Sequence, residues 1–305
     1  MSRRNNGKGS YDGSTYWFIL EADHHAGHRL GLCNPAVMLL DDDGREYGPP
    51  IQETQLYMWE LRANYLRQAF DIINGEPFAY MVIGDITHGR KYIDGIMTTR
   101  IADQWRVAKS NIAHVARAEN CVAVRLMSGT SSHIFGEATS EITVMGMLRD
   151  RFPKKDIRVL GHSRIRLPGD VTLDTAHHGP GAGIRAWTRG NVARHYLRSN
   201  MWKEIKAGRD VPALYIRAHY HTWVHEYLEE WVEGEICLSQ LIVMPSLCGL
   251  TEYGRQATAS EYEIWNGLVL VKVEHGRAIV YPFTRPFDIR VDDNEIVEAF
   301  EMAKA

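Results

Sequence analysis

The sequence predicts an α/β fold in an ordinary globular protein that has no disulfide framework. Short apolar runs typical of buried strands alternate with longer segments in which apolar residues recur at helical spacing. Hydrophobic residues make up 45% of the chain and charged residues 24%, as in ordinary globular proteins. The four cysteines are widely spaced and form no Cys-x-x-Cys pair, so neither a zinc knuckle nor a disulfide framework is predicted.

The chain has 305 residues and a net charge of −3. This length allows one large domain, which we expect at residues 13–285, between a flexible tail (1–12) and an acidic tail (286–305). The charge predicts no bulk attraction to nucleic acid or to an anionic membrane. Without a membrane-length apolar run or a secretory signal, we expect a cytoplasmic protein with no membrane partner. The sequence does not indicate the oligomeric state.

Strands and helices alternate through the first half of the chain. Apolar, β-prone runs predict strands at residues 15–20, 78–83 and 122–127. Apolar residues at helical spacing predict helices at residues 52–74 and 97–119, and a third helix is expected at residues 136–151. The intervening residues 41–50 are rich in Gly, Pro and Asp and are predicted to form a loop.

The second half is richer in strands. Short strands are predicted at residues 157–160, 171–175 and 213–217, and longer ones at 223–228, 236–245 and 268–283. The last run contains a predicted hairpin turn at Glu274-His275-Gly276-Arg277. A long helix with many basic residues is predicted at 184–208. Its basic face is expected to be solvated in the simplest case, with Arg185 and Arg189 as candidates for binding a phosphate-bearing substrate such as nucleic acid.

Histidines are concentrated in loops that follow predicted strands. Nine of the fourteen fall in five short loops, at residues 23–28, 85–88, 133, 177–178 and 219–221. The carboxyl ends of parallel strands meet at one edge of a sheet, so these loops can converge on one site. A single His-x-His pair is more often two half-exposed strand histidines, but five such loops favour a metal site made of imidazole and carboxylate groups.

The order of these motifs resembles the calcineurin-like metallophosphoesterase superfamily over about residues 15–250. The superfamily's pattern is Asp-x-His, Gly-Asp, Gly-Asn-His, a lone His and Gly-His-x-His, each at a strand end. The similar motifs in this chain are Asp23-His24-His25, Gly84-Asp85, His177 or His178, and Ala218-His219-Tyr220-His221. The sequence Gly-Asp-x-x-His at residues 84–88 is also similar to the Mre11 and SbcD nuclease branch.

The resemblance implies a fold and a metal centre. The implied fold is a four-layer αββα sandwich of two mixed sheets flanked by helices, with residues 222–283 completing the second sheet. The implied centre holds two divalent ions, with Mn²⁺ preferred and Fe or Zn²⁺ as alternatives, and Asp85 as the bridge between them. One ion would be held by Asp23, His25 and His221, and the other by His219 with His177 or His178.

The third motif departs from the superfamily. Where the family has Gly-Asn-His, this chain has Gly129-Thr130-Ser131-Ser132-His133. The Asn normally holds the second metal ion, and the adjacent His protonates the leaving group. His133 could take either role, as a metal ligand or as the general acid, and His88 is a second candidate for the acid.

The resemblance implies a phosphoesterase that hydrolyses a phosphate ester with metal-activated water, most simply a phosphodiesterase or a nuclease-like enzyme. One alternative is a phosphomonoesterase acting on proteins or nucleotides. An alternative from another class is a non-catalytic binding protein that retains the fold. A serine hydrolase and a Walker-type nucleotide site are not expected, because the chain has neither Gly-x-Ser-x-Gly nor a glycine-rich phosphate loop.

Overall fold

The structure is a computed structural model that describes residues 15–131, 139–181, 188, 190–232, 234–250, 263–290 and 302. Across these residues the chain forms a mixed α/β fold with three sheets and four helices, which confirms the predicted class. None of the described helices is long and apolar enough to cross a membrane.

The predicted strands and helices occur in the predicted order, and three short strands are added to them. The helices are α1 (Glu53–Ile73), α2 (Ile101–Ala116), α3 (Thr139–Arg151) and α4 (Asn191–Lys206). The strands are β1 (Tyr16–Glu21), β2 (Leu39–Leu40), β3 (Glu46–Tyr47), β4 (Phe78–Val82), β5 (Cys121–Met127), β6 (Asp156–Leu160), β7 (Ser163–Leu167), β8 (Val171–Thr175), β9 (Leu214–Arg217), β10 (Val224–Val232), β11 (Glu235–Val243), β12 (Glu263–Glu274) and β13 (Arg277–Asp288).

The larger sheet has six strands in the order β13-β12-β1-β4-β5-β6. Strands β1, β4, β5 and β6 are parallel, and β12 runs antiparallel to β1. Glu21 pairs with Val82, so the carboxyl ends of β1 and β4 lie side by side. The loops that carry Asp23 and Asp85 therefore leave the sheet from the same edge.

The second sheet has five strands in the order β10-β11-β9-β8-β7. Strand β9 is parallel to both of its neighbours, β8 and β11. Because β8 and β9 are adjacent and parallel, the loop that carries His177 and His178 leaves this sheet beside the loop that carries His219 and His221. A small third sheet pairs β2 with β3, within and beside the segment predicted as a loop.

Three hydrophobic clusters form the core. The first joins helices α1, α2 and α3 to one face of the six-stranded sheet, through residues such as Leu66, Ile112 and Leu148. The second joins the other face of that sheet to the five-stranded sheet, with Leu20, Met81 and Leu173 among its members. The third joins α4 to strands β9, β10 and β11.

The prediction that residues 222–283 complete the second sheet is wrong for the last two strands. Strands β10 and β11 do belong to the five-stranded sheet, but β12 and β13 extend the six-stranded sheet beside β1. The reason lies in the two faces of β12. Leu268 and Leu270 pack in the first cluster, and Val269 and Val271 pack in the second, so both faces of β12 are buried inside the molecule.

Other boundaries differ by small amounts. The hairpin turn predicted at Glu274–Arg277 joins β12 to β13, and β13 extends to Asp288, three residues beyond the predicted domain boundary. Strand β7 was not predicted, because its sequence, SRIRL, alternates with arginine instead of forming an apolar run. Helix α2 spans 16 residues and is shorter at both ends than the predicted 97–119.

Candidate metal centre

Backbone hydrogen bonds hold the four histidine- and aspartate-bearing loops together. The amide of His25 donates to the carbonyl of Asp85 at 2.9 Å, which extends the β1–β4 pairing beyond the strands. Likewise, the amide of Ala218 donates to the carbonyl of His177 at 2.8 Å. The amide of His219 donates to Asp23 Oδ2 at 3.3 Å and so connects the two sheets. The predicted loops therefore converge at one edge of the molecule.

Five of the predicted ligands have left-handed backbone conformations. The φ angles are 52° at Asp23, 43° at His25, 47° at Asp85, 80° at His219 and 50° at His221. Residues other than glycine rarely adopt positive φ, and holding one there costs about 1 kcal/mol or more. Strain of this kind concentrates at functional sites, where the fold must direct a side chain against local preference.

The first group of ligand atoms comprises Asp23, His25 and His221, whose nearest donor atoms all lie within 4.8 Å of one another. His25 Nε2 and His221 Nε2 are 3.3 Å apart, and His221 Nε2 is 3.7 Å from Asp23 Oδ1. Asp23 Oδ1 is fully buried and has no hydrogen-bond partner among the described residues. A bound cation would satisfy this buried carboxylate oxygen and both ring nitrogens.

The second group comprises Asp23, Asp85 and His177. His177 Nε2 lies 3.1 Å from Asp85 Oδ2 and 4.0 Å from Asp23 Oδ1. The other ring nitrogen of His177 donates to the carbonyl of Ile83 at 2.7 Å. A backbone partner of this kind fixes the ring and directs the Nε2 lone pair outward, as in many metal-binding histidines.

A third group comprises His177, His178 and His219. The rings of His178 and His219 are 4.7 Å apart, and those of His177 and His219 are 5.2 Å apart. His177 is buried against Asp85, whereas the side chain of His178 is exposed. These distances favour His177 over His178 as the partner of Asp85, a choice that the sequence leaves open.

Burial and neighbouring charges shift the pKa values of the carboxylates and imidazoles at the site. Burial and the nearby charge of Asp85 together raise the pKa of Asp23 to about 7, although the positive charge of His177 opposes the shift. Burial would lower the pKa of His177, but the carboxylates of Asp85 and Asp23 outweigh it and raise that pKa to about 9. Two carboxylates in one buried site need compensating positive charge, which protons or divalent cations can supply.

His88 lies deep beside this cluster. Its Nε2–H donates to the carbonyl of Tyr92 at 2.9 Å, and its ring lies 5.8 Å from that of His25 and 4.4 Å from that of His28. The ring is almost completely buried, and it packs beside the rings of His25 and His28. The other candidate acid, His133, and the candidate substrate-binding residues Arg185 and Arg189 lie outside the described residues.

Two residues at the site were not among the sequence candidates. The Thr130 amide donates to Asp85 Oδ1 at 2.6 Å, and its hydroxyl contacts three of the predicted ligands. Glu141 in α3 accepts a 3.4 Å hydrogen bond from the amide of Gly129. The departure from the third motif could have pointed to Thr130, but no local pattern distinguishes Glu141 from an ordinary helix residue.

Comparison of the chain with protein-family models and with curated proteins finds no match. The resemblance to the calcineurin-like superfamily therefore rests on four motifs and on their order along the chain. What it implies for activity is a hypothesis that the chemistry of the candidate centre has to support.

Proposed function

We propose that the protein is a dinuclear metal-dependent phosphoesterase with a phosphodiester as its preferred substrate. One observation carries the proposal: side chains from both sheets form a single, largely buried cluster of carboxylates and imidazoles. The cluster consists of Asp23, His25, Asp85, His177, His219 and His221. Its orphaned carboxylate oxygen, Asp23 Oδ1, supports cation binding over a purely structural role.

The donor set divides between two ions. Asp23, His25 and His221 would hold the first, and Asp85, His177 and His219 the second. Asp23 is the carboxylate that the first two groups of ligand atoms share, whereas the resemblance implies Asp85 as the bridge. The nitrogen-rich mixture favours Mn²⁺, Fe or Zn²⁺ over Mg²⁺, because imidazole suits the softer ions. Mn²⁺ is our first choice because two carboxylates accompany the four imidazoles.

Each side chain has a task in phosphate-ester hydrolysis. When bound, the two cations would neutralise the ester oxygens and activate a water for in-line attack. Burial of Asp23 and Asp85 strengthens their hold on cations by excluding competing water. Protonation of the leaving oxygen needs a general acid, for which His133 and His88 remain the candidates.

The packing supports the finer prediction of a four-layer αββα sandwich. The three hydrophobic clusters join, in order, the first three helices, the six-stranded sheet, the five-stranded sheet and α4. In this arrangement the ligands gather where the edges of the two sheets meet. Such an edge is a common position for a ligand site in α/β proteins.

The described part of the basic helix, α4, does not support nucleic acid as the substrate. Arg198 in α4 pairs with Glu230 in β10 at 2.6 Å, and burial of the neighbouring Glu226 raises its pKa despite the charge of Arg194. Each of these two arginines lies close to a glutamate. We therefore favour a small phosphodiester over a nucleic acid.

The test is metal content together with hydrolysis. Protein purified without chelator should carry two divalent ions per chain and hydrolyse bis(4-nitrophenyl) phosphate, with activity that is lost on EDTA treatment and restored by Mn²⁺. Asp85→Asn should reduce the rate to background, because it removes the bridging anion. Asp71→Asn, which changes an exposed carboxylate in α1, is the matched control and should retain activity.

Two outcomes would contradict the proposal. Full activity in Asp85→Asn would show that Asp85 does not bridge the two ions. Protein that binds no metal and hydrolyses none of the tested monoesters or diesters would instead be a binding protein with the same fold.

A further inference from the structure

We infer that the hydroxyl of Thr130 is a ligand of the second metal ion, in the place where the superfamily has an Asn side chain. This inference rests on the proposed function and deepens it. It assigns a fourth ligand to the second ion, because the Asn that serves as a ligand in the superfamily's third motif is absent from this chain.

The distances around the hydroxyl carry the inference. Thr130 Oγ1 lies 3.1 Å from Asp85 Oδ2, 3.2 Å from His177 Nε2 and 3.2 Å from His219 Nδ1. His177 Nε2 and Asp85 Oδ2 are themselves 3.1 Å apart. Around a tetrahedral ion with ligand distances of about 2.0–2.1 Å, neighbouring ligand atoms are separated by about 3.3 Å. These four separations therefore match the spacing between neighbouring atoms of one coordination sphere.

Hydrogen bonds alone explain these contacts less simply than coordination to a shared metal ion does. A hydroxyl has one proton to donate, whereas Asp85 Oδ2 and the Nε2 of a neutral His177 are both acceptors. The Nδ1–H of His177 is already engaged with the carbonyl of Ile83. A doubly protonated His177 could satisfy the same contacts without a metal ion, so the experiment must separate these two arrangements.

The backbone holds the hydroxyl in position. The Thr130 amide donates to Asp85 Oδ1 at 2.6 Å, so the loop is anchored on the proposed bridging carboxylate. The preceding Gly129 permits this approach, because a Cβ at that position would overlap Asp85 Oδ1. A threonine side chain is shorter than asparagine, and this close backbone approach compensates for the lost length.

The experiment measures Mn²⁺ binding to the metal-free full-length protein by isothermal titration calorimetry. Thr130→Val keeps the shape of the side chain but removes the oxygen, and Thr130→Ser keeps the oxygen. We expect the wild type to bind two ions. Thr130→Val should bind the second at least about tenfold more weakly, with the first unchanged. Thr130→Ser should remain close to the wild type.

A second measurement detects the pair of bound Mn²⁺ ions directly. Low-temperature electron paramagnetic resonance at two equivalents of Mn²⁺ should show an exchange-coupled pair in the wild type and in Thr130→Ser. In Thr130→Val the coupled signal should be replaced by that of isolated ions. Thr99→Val, an exposed threonine, is the control for removing a hydroxyl elsewhere, and circular dichroism checks that each variant is folded.

The outcomes separate the inference from the proposed function. If the wild type binds two ions and Thr130→Val binds both equally well, the hydroxyl is only a hydrogen-bonding group and the inference fails. If Thr130→Val does not fold, Thr130→Asn decides: second-ion binding close to that of the wild type supports a ligand position, and its loss contradicts one. If the wild type binds fewer than two ions, the proposed dinuclear function fails as well.

Discussion

At the candidate centre, the backbone of Gly129 lies in close contact with Asp85 and so fixes the position of that carboxylate. Gly129 touches Asp85 so closely that any side chain there would displace the carboxylate. We predict that Gly129→Ala displaces both the carboxylate and the backbone of Asp85, whose amide nitrogen the added Cβ would overlap, and so abolishes binding of the second ion, measured as Mn²⁺ stoichiometry of protein that circular dichroism shows to be folded. The control is Gly146→Ala in α3, where a Cβ would meet nothing within 4 Å and helix propensity should stabilise the protein by up to about 1 kcal/mol. Two bound ions in Gly129→Ala would contradict this prediction.

Glu141 is a buried carboxyl group whose ionisation opposes folding. Burial raises its pKa from 4.5 to about 7, and Oε2 has no hydrogen-bond partner among the described residues. Since the folded-state pKa is the higher one, the stabilising contribution is complete below about pH 4.5 and is lost as the pH rises through about 7.

We therefore predict that Glu141→Gln changes the pH dependence of stability in the metal-free protein. Between pH 5 and pH 8 the wild type should lose roughly 2–3 kcal/mol of unfolding free energy that the variant retains. Urea unfolding at the two pH values measures the difference. Glu119→Gln, at an exposed position, is the matched control and should follow the wild type. An equal pH response in all three proteins would rule out ionisation of Glu141 as the cause.

At the scale of elements, one buried ion pair connects α1 to the sheet beneath the site. Arg62 in α1 donates to both carboxylate oxygens of Glu21, at 2.8 Å and 3.1 Å, and to the Tyr80 hydroxyl at 3.2 Å. Burial would raise the pKa of Glu21, but the charges and hydrogen bonds of Arg62 and His24 together outweigh it and lower that pKa to about 2. Glu21 ends β1, two residues before Asp23, so the pair fixes the start of the first metal-binding loop.

We predict that Arg62→Met destabilises the protein by about 3–5 kcal/mol, because it removes the guanidinium that pairs with the buried Glu21 carboxylate. Arg67→Met, on the exposed face of the same helix, should change stability by less than about 0.5 kcal/mol. Chemical denaturation compares the two. Adding Glu21→Leu to Arg62→Met should recover part of the loss, and a failure to recover any would mean that packing, not charge, dominates.

At the scale of the whole molecule, the ligands come from both sheets. Asp23, His25 and Asp85 follow strands of the six-stranded sheet, whereas His177 and His219 follow strands of the five-stranded sheet. Metal ions at this position would therefore link the two sheets. Unfolding would separate the ligands, so binding and global stability should be coupled.

We predict that Mn²⁺ raises the unfolding temperature of the EDTA-treated protein. At a free concentration of about 100 times Kd, each site adds about 2.7 kcal/mol to the free energy of unfolding. The shift, measured by differential scanning calorimetry, should be smaller in Asp85→Asn. An unfolding temperature that does not respond to Mn²⁺ would contradict metal binding between the sheets.

Local patterns predicted most elements of the fold. Helix α1 matches its prediction to within one residue at each end because its apolar residues recur regularly over 21 residues. Strand β8 matches its prediction fully. Strand β7, with its alternating arginines, was missed because an edge strand that is only partly buried needs no apolar run.

The sequence by itself determined the α/β class and the positions of the loops that carry aspartate and histidine, because these depend on residues that are close in the chain. Only the tertiary structure decided that β12 joins the first sheet and that His177, not His178, faces Asp85. It also brought the Thr130 hydroxyl among the predicted ligands. Such features depend on contacts between residues far apart in the chain, and no local pattern encodes which of the available partners will meet.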